Sequence, residues 1–248
     1  MEQKIAPVLT YLKQKEQTDI QAVALLKDLV YYKKMLDKHI DLVDRRLLKG
    51  EKIPHADKVF SIFEAHVEWI QKGKHHKKVE IGHNVLVTTD QHHFILDHKV
   101  MEKETDKTQP IALVERLTAK YEQSDYDYYS ISFDKGFYSG LAKKAMHKQF
   151  EQVVMPKKGK LSNKERVAQS EEEYRHLRNK HSAVESNINE LEYSGLDRVK
   201  DKGIDGFKRY VALGVLSYNI KRLGRIVIEE NKLATVVKLG PKRKSVAA

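Results

Sequence analysis

Apolar residues return at three- and four-residue steps early in the chain, at Val23, Leu26, Val30, Leu36, Ile40, Val43 and Leu47. That spacing predicts helix from residue 5 to about 49, with Thr18-Asp19 as a cap and Gly50 closing the run. The pattern stops around Pro54. Lys58 to Glu64 then reads as a short strand leading to Trp69 and a turn at Lys72-Gly73-Lys74. Val79, Ile81, Val85 and Val87 alternate with polar or small residues, and Phe94-Ile95-Leu96 follows the turn-like Thr89-Asp90-Gln91, which predicts a β-hairpin.

Helical spacing resumes after Pro110 with Ile111, Leu113, Val114 and Leu117, up to Tyr121. Tyr128 to Phe133 has the look of a buried strand ending at Asp134, and Gly136 permits a tight turn into a helix from about Leu141 to Phe150. Gln152-Val153-Val154-Met155 is another short strand, stopped by Pro156. Strands alternating with helices predict an α/β fold, in which ligand sites gather at the carboxyl ends of strands. Asp134 lies at such an end.

Ser162 with Glu165, or Ser170 with Glu173, can form a capping box ahead of a long helix. Tyr174, Leu177, His181, Val184, Ile188 and Leu191 make one stripe of that helix, and Arg178, Glu185, Asn189 and Glu192 the stripe beside it. Glu185 is thereby expected at the margin of the core, looking into a cleft. From Asp205, the residues Phe207, Tyr210, Val211, Leu213, Leu216 and Leu223 predict a helix apolar on most sides and therefore buried. A loose basic tail is expected from Lys232 through Gly240-Pro241-Lys242-Arg243-Lys244.

Composition adds partners to this outline. The chain has 248 residues, 40% of them hydrophobic, enough for a proper core. Lys and Arg outnumber Asp and Glu by 46 to 35, a formal charge of +11 that favours polyanions, nucleic acid first among them. An ordinary basic soluble protein is the plainer reading of the same charge. With no cysteine, disulfides, zinc ribbons and thiol nucleophiles are excluded, and a reducing cytoplasm fits. No apolar run approaches the roughly 20 residues of a membrane span, and the N-terminus does not read as a signal peptide. No membrane partner is expected.

Two acids carry the candidate chemistry. Asp134 at a strand end and Glu185 in a helix are hard oxygen donors, suited to a divalent ion such as Mg²⁺ in phosphodiester chemistry. Each has a duller reading, as a helix cap and as a solvated glutamate. His75, His76, His83, His92, His93 and His98 crowd the hairpin but lack the i, i+4 spacing of a helical zinc site, and read as surface residues. Neither a phosphate-loop glycine signature nor a G-x-S-x-G elbow occurs.

Several ordered motifs together resemble a known family. They are Phe60 to Glu64, Glu68 to Lys74, Val79 to His83, Phe133-Asp134-Lys135-Gly136-Phe137-Tyr138-Ser139, Pro156-Lys157-Lys158-Gly159, Ala183 to Asn189, and Tyr210 to Arg225. Over residues 20 to 230 the chain resembles the catalytic half of bacterial insertion-sequence transposases of the DDE type. The resemblance implies a ribonuclease H-like fold, Mg²⁺ or Mn²⁺, and cleavage and joining of double-stranded DNA at transposon ends and target, with a homo-oligomer on DNA. In a complete enzyme of that kind, metal-bound water attacks a phosphodiester and the freed 3′-hydroxyl attacks target DNA. Asp134 matches the second acid of the triad and Glu185 the third.

The first acid has no match. The resemblance implies that residues 1–54 are a helical insertion, that 55–230 are a partial catalytic core, and that 231–248 are a basic tail. The first acid's strand, with DNA-binding helices before it, is then expected upstream of Met1. Glu64 is a poor substitute, since the motif around it resembles a downstream position. Little or no strand transfer is therefore expected from this chain alone. Lys135, Lys157, Lys158, Lys160 and Arg178 cluster near the two acids and are expected on the DNA backbone, where contacts position without reading sequence. Two rivals stand beside this reading: a non-catalytic DNA-binding product that interferes with a full-length transposase, and a decayed reading frame.

Overall fold

The computed structural model describes residues 2–15, 19–71, 79–121 and 128–239, leaving aside the side chains of 2, 3 and 233–239. It is a mixed α/β protein, mostly helical, and its contacts divide it into two compact units, Met1–Gly82 and His83–Ala248. The turn expected at Lys72-Gly73-Lys74, His75, His76 and the tail from Gly240 lie outside the described residues.

In the first unit, helix α1 (Glu2–Lys15) packs on α2 (Ile20–Val43) through Leu12, Ala22 and Leu26. Asp19 caps α2, its carboxylate accepting from Gln21 N at 2.8 Å. A π-turn over Asp44–Leu48 extends the helix, and Gly50 leaves it with φ +69°. Only part of the expected stripe is covered: Leu26 is buried, whereas Val30, Ile40, Val43 and Leu47 are exposed. No strand forms over Lys58–Glu64. The Ser61 hydroxyl accepts from Phe63 N and Glu64 N at 3.2 and 2.9 Å, and that local bonding holds the backbone in a turn. Strands β1 (Glu68–Gln71) and β2 (Val79–Gly82) pair antiparallel.

The expected hairpin forms around Thr89-Asp90-Gln91, but its first strand starts at Val85 rather than Val79. Val79 and Ile81 belong to β2, and the hairpin of the second unit joins β3 (Val85–Thr89) to β4 (Ile95–Val100). Asp90 builds its turn: one carboxylate oxygen accepts from His92 N and Phe94 N at 2.9 and 2.8 Å, and His93 takes φ 66°. Helix α3 (Gln109–Tyr121) follows, and Arg116 donates twice to the buried Asp97, at 2.8 and 3.1 Å.

Strand β5 (Ser130–Ser132) leads through a 3₁₀ turn into α4 (Gly140–Met146), and β6 (Gln152–Val154) pairs with β5 in parallel, Ser132 opposite Val154. Bonds from Gln152 N to Tyr129 O and from Phe133 N to Val154 O lengthen the ladder at both ends. The main core lies under this pair, where Phe133, Val153 and Met155 meet Leu113, Leu117, Met146 and Leu86. Alternation sends Ser132 and Val154 to the opposite face, toward α6 (Glu172–Leu191). The described strands form three two-stranded sheets and do not join into the single mixed sheet of a ribonuclease H-like fold.

Of the two candidate capping boxes, Ser162 with Glu165 forms at the start of α5 (Asn163–Ser170). Ser170 instead donates to Val167 O, and Glu173 accepts from Tyr129 Oη and Gln152 Nε2, so the second box is absent. Helix α6 buries Asn187 where Ile188 was expected, because Asn187 Oδ1 accepts from the buried Tyr218 hydroxyl at 3.0 Å. After a π-turn at Glu192–Leu196, α7 (Gly203–Leu239) packs Val215 and Tyr218 against Ile95 and Leu191. It continues past Lys232, where a loose tail was expected to begin. It is also not buried all round: Leu213, Leu216, Ile220 and Leu223 are more than half exposed. No described helix is long and apolar enough to cross a membrane.

Asn219 ties α7 to the hairpin. Its side-chain oxygen accepts from Ile95 N and its amide donates to Ile95 O, both at 2.9 Å, serving both backbone groups of a buried residue. Asn219→Ala strips that partner and is expected to cost about 1–3 kcal/mol, read as a lower urea midpoint with an unchanged m-value.

Candidate functional site

Parallel pairing puts the carboxyl ends of β5 and β6 at one edge, so the loops Asp134–Ser139 and Met155–Lys160 emerge side by side. Helix α6 runs over the same pair. Near its start Glu173 bonds Tyr129 and Gln152 at the amino ends of the strands, and about 1.5 Å of rise per residue carries Arg178, His181 and Glu185 toward the carboxyl ends. Three separate segments thereby reach one place.

A cleft of about 350 Å³ lies there, lined by Lys135, Pro156, Lys157, Lys158, Gly159, Leu161, Gln169 and Arg178. Four of the five expected phosphate-contacting cations line it. Lys160 is exposed one residue beyond Gly159 and is not among the lining residues. The lining contains no acid. Lys157 is paired with Glu165 at 3.3 Å, while Lys135, Lys158 and Arg178 have no carboxylate partner among the described residues. Concentrated unpaired positive charge at a concave edge raises the local concentration of anions. Gln169, from α5, was not singled out in the sequence, since nothing about an isolated glutamine marks it.

Asp134 is exposed and turns one carboxylate oxygen onto Lys135 N at 2.6 Å, capping the 3₁₀ turn that follows. Gly136 in that turn leaves room for Asp106, whose Oδ2 stands 2.5 Å from where a Cβ would be. Glu185 is exposed on α6, not tucked at a cleft margin. His181 on α6 is partly buried and lies within the electrostatic reach of both acids. Burial lowers its pKa from the ordinary value of 6.5, and the charges of Asp134 and Glu185 both pull it back up. His181 appears in the sequence only as one member of an apolar stripe, so its exposure to the charges of both acids was not legible there.

Glu64 belongs to the first unit, with a ring nitrogen of His66 at 2.9 Å from its carboxylate. His83 Nδ1 lies 3.1 Å from the Met101 carbonyl, and burial lowers the pKa of His98. Among the described residues no three of His, Asp and Glu come together as a metal-ligand set. Asp134 and Glu185 have the oxygen chemistry for a divalent ion, but two carboxylates are an incomplete set for one.

Burial disfavours the charged form of the His181 ring in the folded chain. The sign for stability follows: no penalty operates above about pH 6.5, and stability is lost as pH falls below that toward the folded value. Asp134→Asn and Glu185→Gln each remove a charge that favours the imidazolium, so each is expected to lower the His181 pKa further. An NMR titration of the His181 ring protons checks this, and no movement in either variant means the acids do not share the site.

No protein-family model, no curated protein and no solved structure matches this chain.

Proposed function

We propose that this chain is part of a DDE-type insertion-sequence transposase, with the second and third acids of the triad at Asp134 and Glu185. The carrying observation is the convergence, at the carboxyl ends of two parallel strands, of Asp134 with a cleft formed by Lys135, Lys157, Lys158 and Arg178. Cations on one side of a strand-end acid suit a duplex whose phosphates are held while one phosphodiester is presented to that acid. The field of Glu185 on the same histidine as Asp134 agrees with a shared role for the two carboxylates. In this reading the β3–β4 hairpin and the β5–β6 pair correspond to parts of a ribonuclease H-like core, although among the described residues they do not join into one sheet. The cofactor is Mg²⁺ or Mn²⁺, and the substrate is double-stranded DNA at the element's ends and at the target.

The lining of the cleft by Lys135, Lys157, Lys158 and Arg178 supports a second reading as well, in which the chain binds DNA and does not cut it. An interfering product of that kind competes with an intact transposase for the same DNA. Nicking separates the readings. Purified chain with Mg²⁺ or Mn²⁺ is expected to leave supercoiled plasmid carrying the element's ends intact; cutting that disappears in Asp134→Ala would show that the chain is catalytic by itself.

Both readings require the cleft to hold a duplex. Lys135→Ala, Lys158→Ala and Arg178→Ala, made singly, are each expected to weaken binding to unrelated duplexes alike. Each also reduces the slope of log affinity against log salt by about 0.9 if it removes one phosphate contact. Fluorescence anisotropy over a salt series measures this, and unchanged slopes in all three variants would remove the cleft from DNA binding.

A further inference from the structure

Of the four cations that line the cleft, one is already answered. Lys157 Nζ lies 3.3 Å from Glu165 Oε1, while Lys135, Lys158 and Arg178 have no carboxylate partner among the described residues. The acid is not a free surface side chain. Its other oxygen, Oε2, accepts from Ser162 N at 2.7 Å, and Ser162 Oγ accepts in turn from Glu165 N at 3.3 Å, closing the capping box that starts α5. A glutamate anchored in this way cannot swing aside for an arriving anion without leaving Ser162 N unpaired. Lys157, on the loop after β6, has a flexible four-carbon stem and is the mobile partner of the pair.

We propose that Glu165 is an autoinhibitory residue of the cleft, a fixed carboxylate that competes with phosphate for Lys157 and holds one of the four cations back. Glu165 in this role presupposes the cleft's use on phosphate, and it sets a limit on the grip. A lysine neutralised by a carboxylate displaces no phosphate counterion while the pair is intact, so it adds nothing to the counterion release that drives binding to a polyanion. The cleft is lined by four cations and grips with three. Engaging the fourth means breaking the ion pair, so the gain at the phosphate is offset by the loss at Glu165. Because the same carboxylate closes the capping box, the withheld cation is tied to the first turn of α5. A formed turn keeps Lys157 back, and a change that unwinds the turn releases it.

Glu165→Gln removes the charge and keeps the cap, since glutamine also serves at the third position of a capping box. In the full chain it is expected to tighten binding to unrelated duplexes about two- to fivefold at low salt. It is also expected to steepen the slope of log affinity against log salt by about 0.9, one further phosphate contact. The double variant Lys157→Met with Glu165→Gln removes the whole pair and is expected to return the slope to that of the unsubstituted chain. Glu172→Gln, an exposed acid in the first turn of α6, is expected to leave the slope unchanged. A second measurement needs neither substitution nor nucleic acid, and it decides the matter should Glu165→Gln misfold. Titration of the unsubstituted chain with inorganic tripolyphosphate, followed by NMR of the lysine side chains, is expected to shift Lys135 and Lys158 and to leave Lys157 in place. An unchanged slope in Glu165→Gln, an equal change in Glu172→Gln, or a double variant with a shallower slope than the unsubstituted chain would overturn the proposal. So would tripolyphosphate that shifts Lys157 along with Lys135 and Lys158, or that shifts none of them. A chain that takes tripolyphosphate as described and no duplex loses the DNA reading and keeps the autoinhibitory pair. Duplex binding with an unchanged slope in Glu165→Gln does the reverse.

Discussion

The arrangement of the second unit depends on one short ladder, the parallel pairing of β5 with β6. Three residues on each strand, with one further bond at either end, fix two loops at the same edge and point Asp134 and Lys157-Lys158 the same way. A pair this short is marginal by itself and depends on apolar layers on both faces. Below it, Phe133, Val153 and Met155 join α3 and α4; above it, Val154 packs toward α6. The upper layer has a second effect, because the helix that covers the sheet also delivers Arg178, His181 and Glu185. Site and fold therefore share one set of contacts, and a change that loosens α6 separates the acids as well as exposing the strands.

The interior of this unit is more polar than its apolar pattern suggests. Asp97 is held by Arg116, Asn187 by Tyr218 and Ile95 by Asn219, each bond joining elements far apart in sequence. Ser132 Oγ, Tyr174 Oη and Asn187 Nδ2, all buried, lack hydrogen-bond partners among the described residues. Burial of such groups without partners costs more than their bonds return when made, so partnered ones act as alignment devices that permit few alternative packings.

What the sequence revealed follows from the range of the forces involved. Helix α3, strand β6, the Asp19 cap and the Ser162–Glu165 box are set by neighbours within a few residues, and the pattern located them. The Phe60–Glu64 segment misled because its apolar residues suit a strand while Ser61 bonds its own backbone, a competition that residue types alone do not decide. Asn187 replaced Ile188 inside α6 because a hydroxyl 31 residues away needed an acceptor. At the site, the cationic cluster was visible as residue types, and its convergence with Asp134 followed from parallel strands. The exposure of His181 to the charges of both acids depends on the azimuth of α6, which no periodicity fixes to within one residue.

That azimuth argument applies with more force to α7. Its two faces are both apolar, so hydrophobic burial alone discriminates weakly between packing Val215 inward and packing Leu216 or Ile220 inward. The polar bonds decide. Rolling the helix by half a turn would bury the outer stripe but would strip Ile95 of both Asn219 bonds and Tyr218 of its Asn187 acceptor, at about 1–3 kcal/mol for each buried group left unpaired. Gly214 adds a steric restriction, since Leu196 side-chain carbons lie 2.8–2.9 Å from where its Cβ would stand and would have to shift to admit one. Rotation of α7 is thus fixed by amides, a hydroxyl and one glycine, and the outward direction of the second apolar face is a consequence of that fixation.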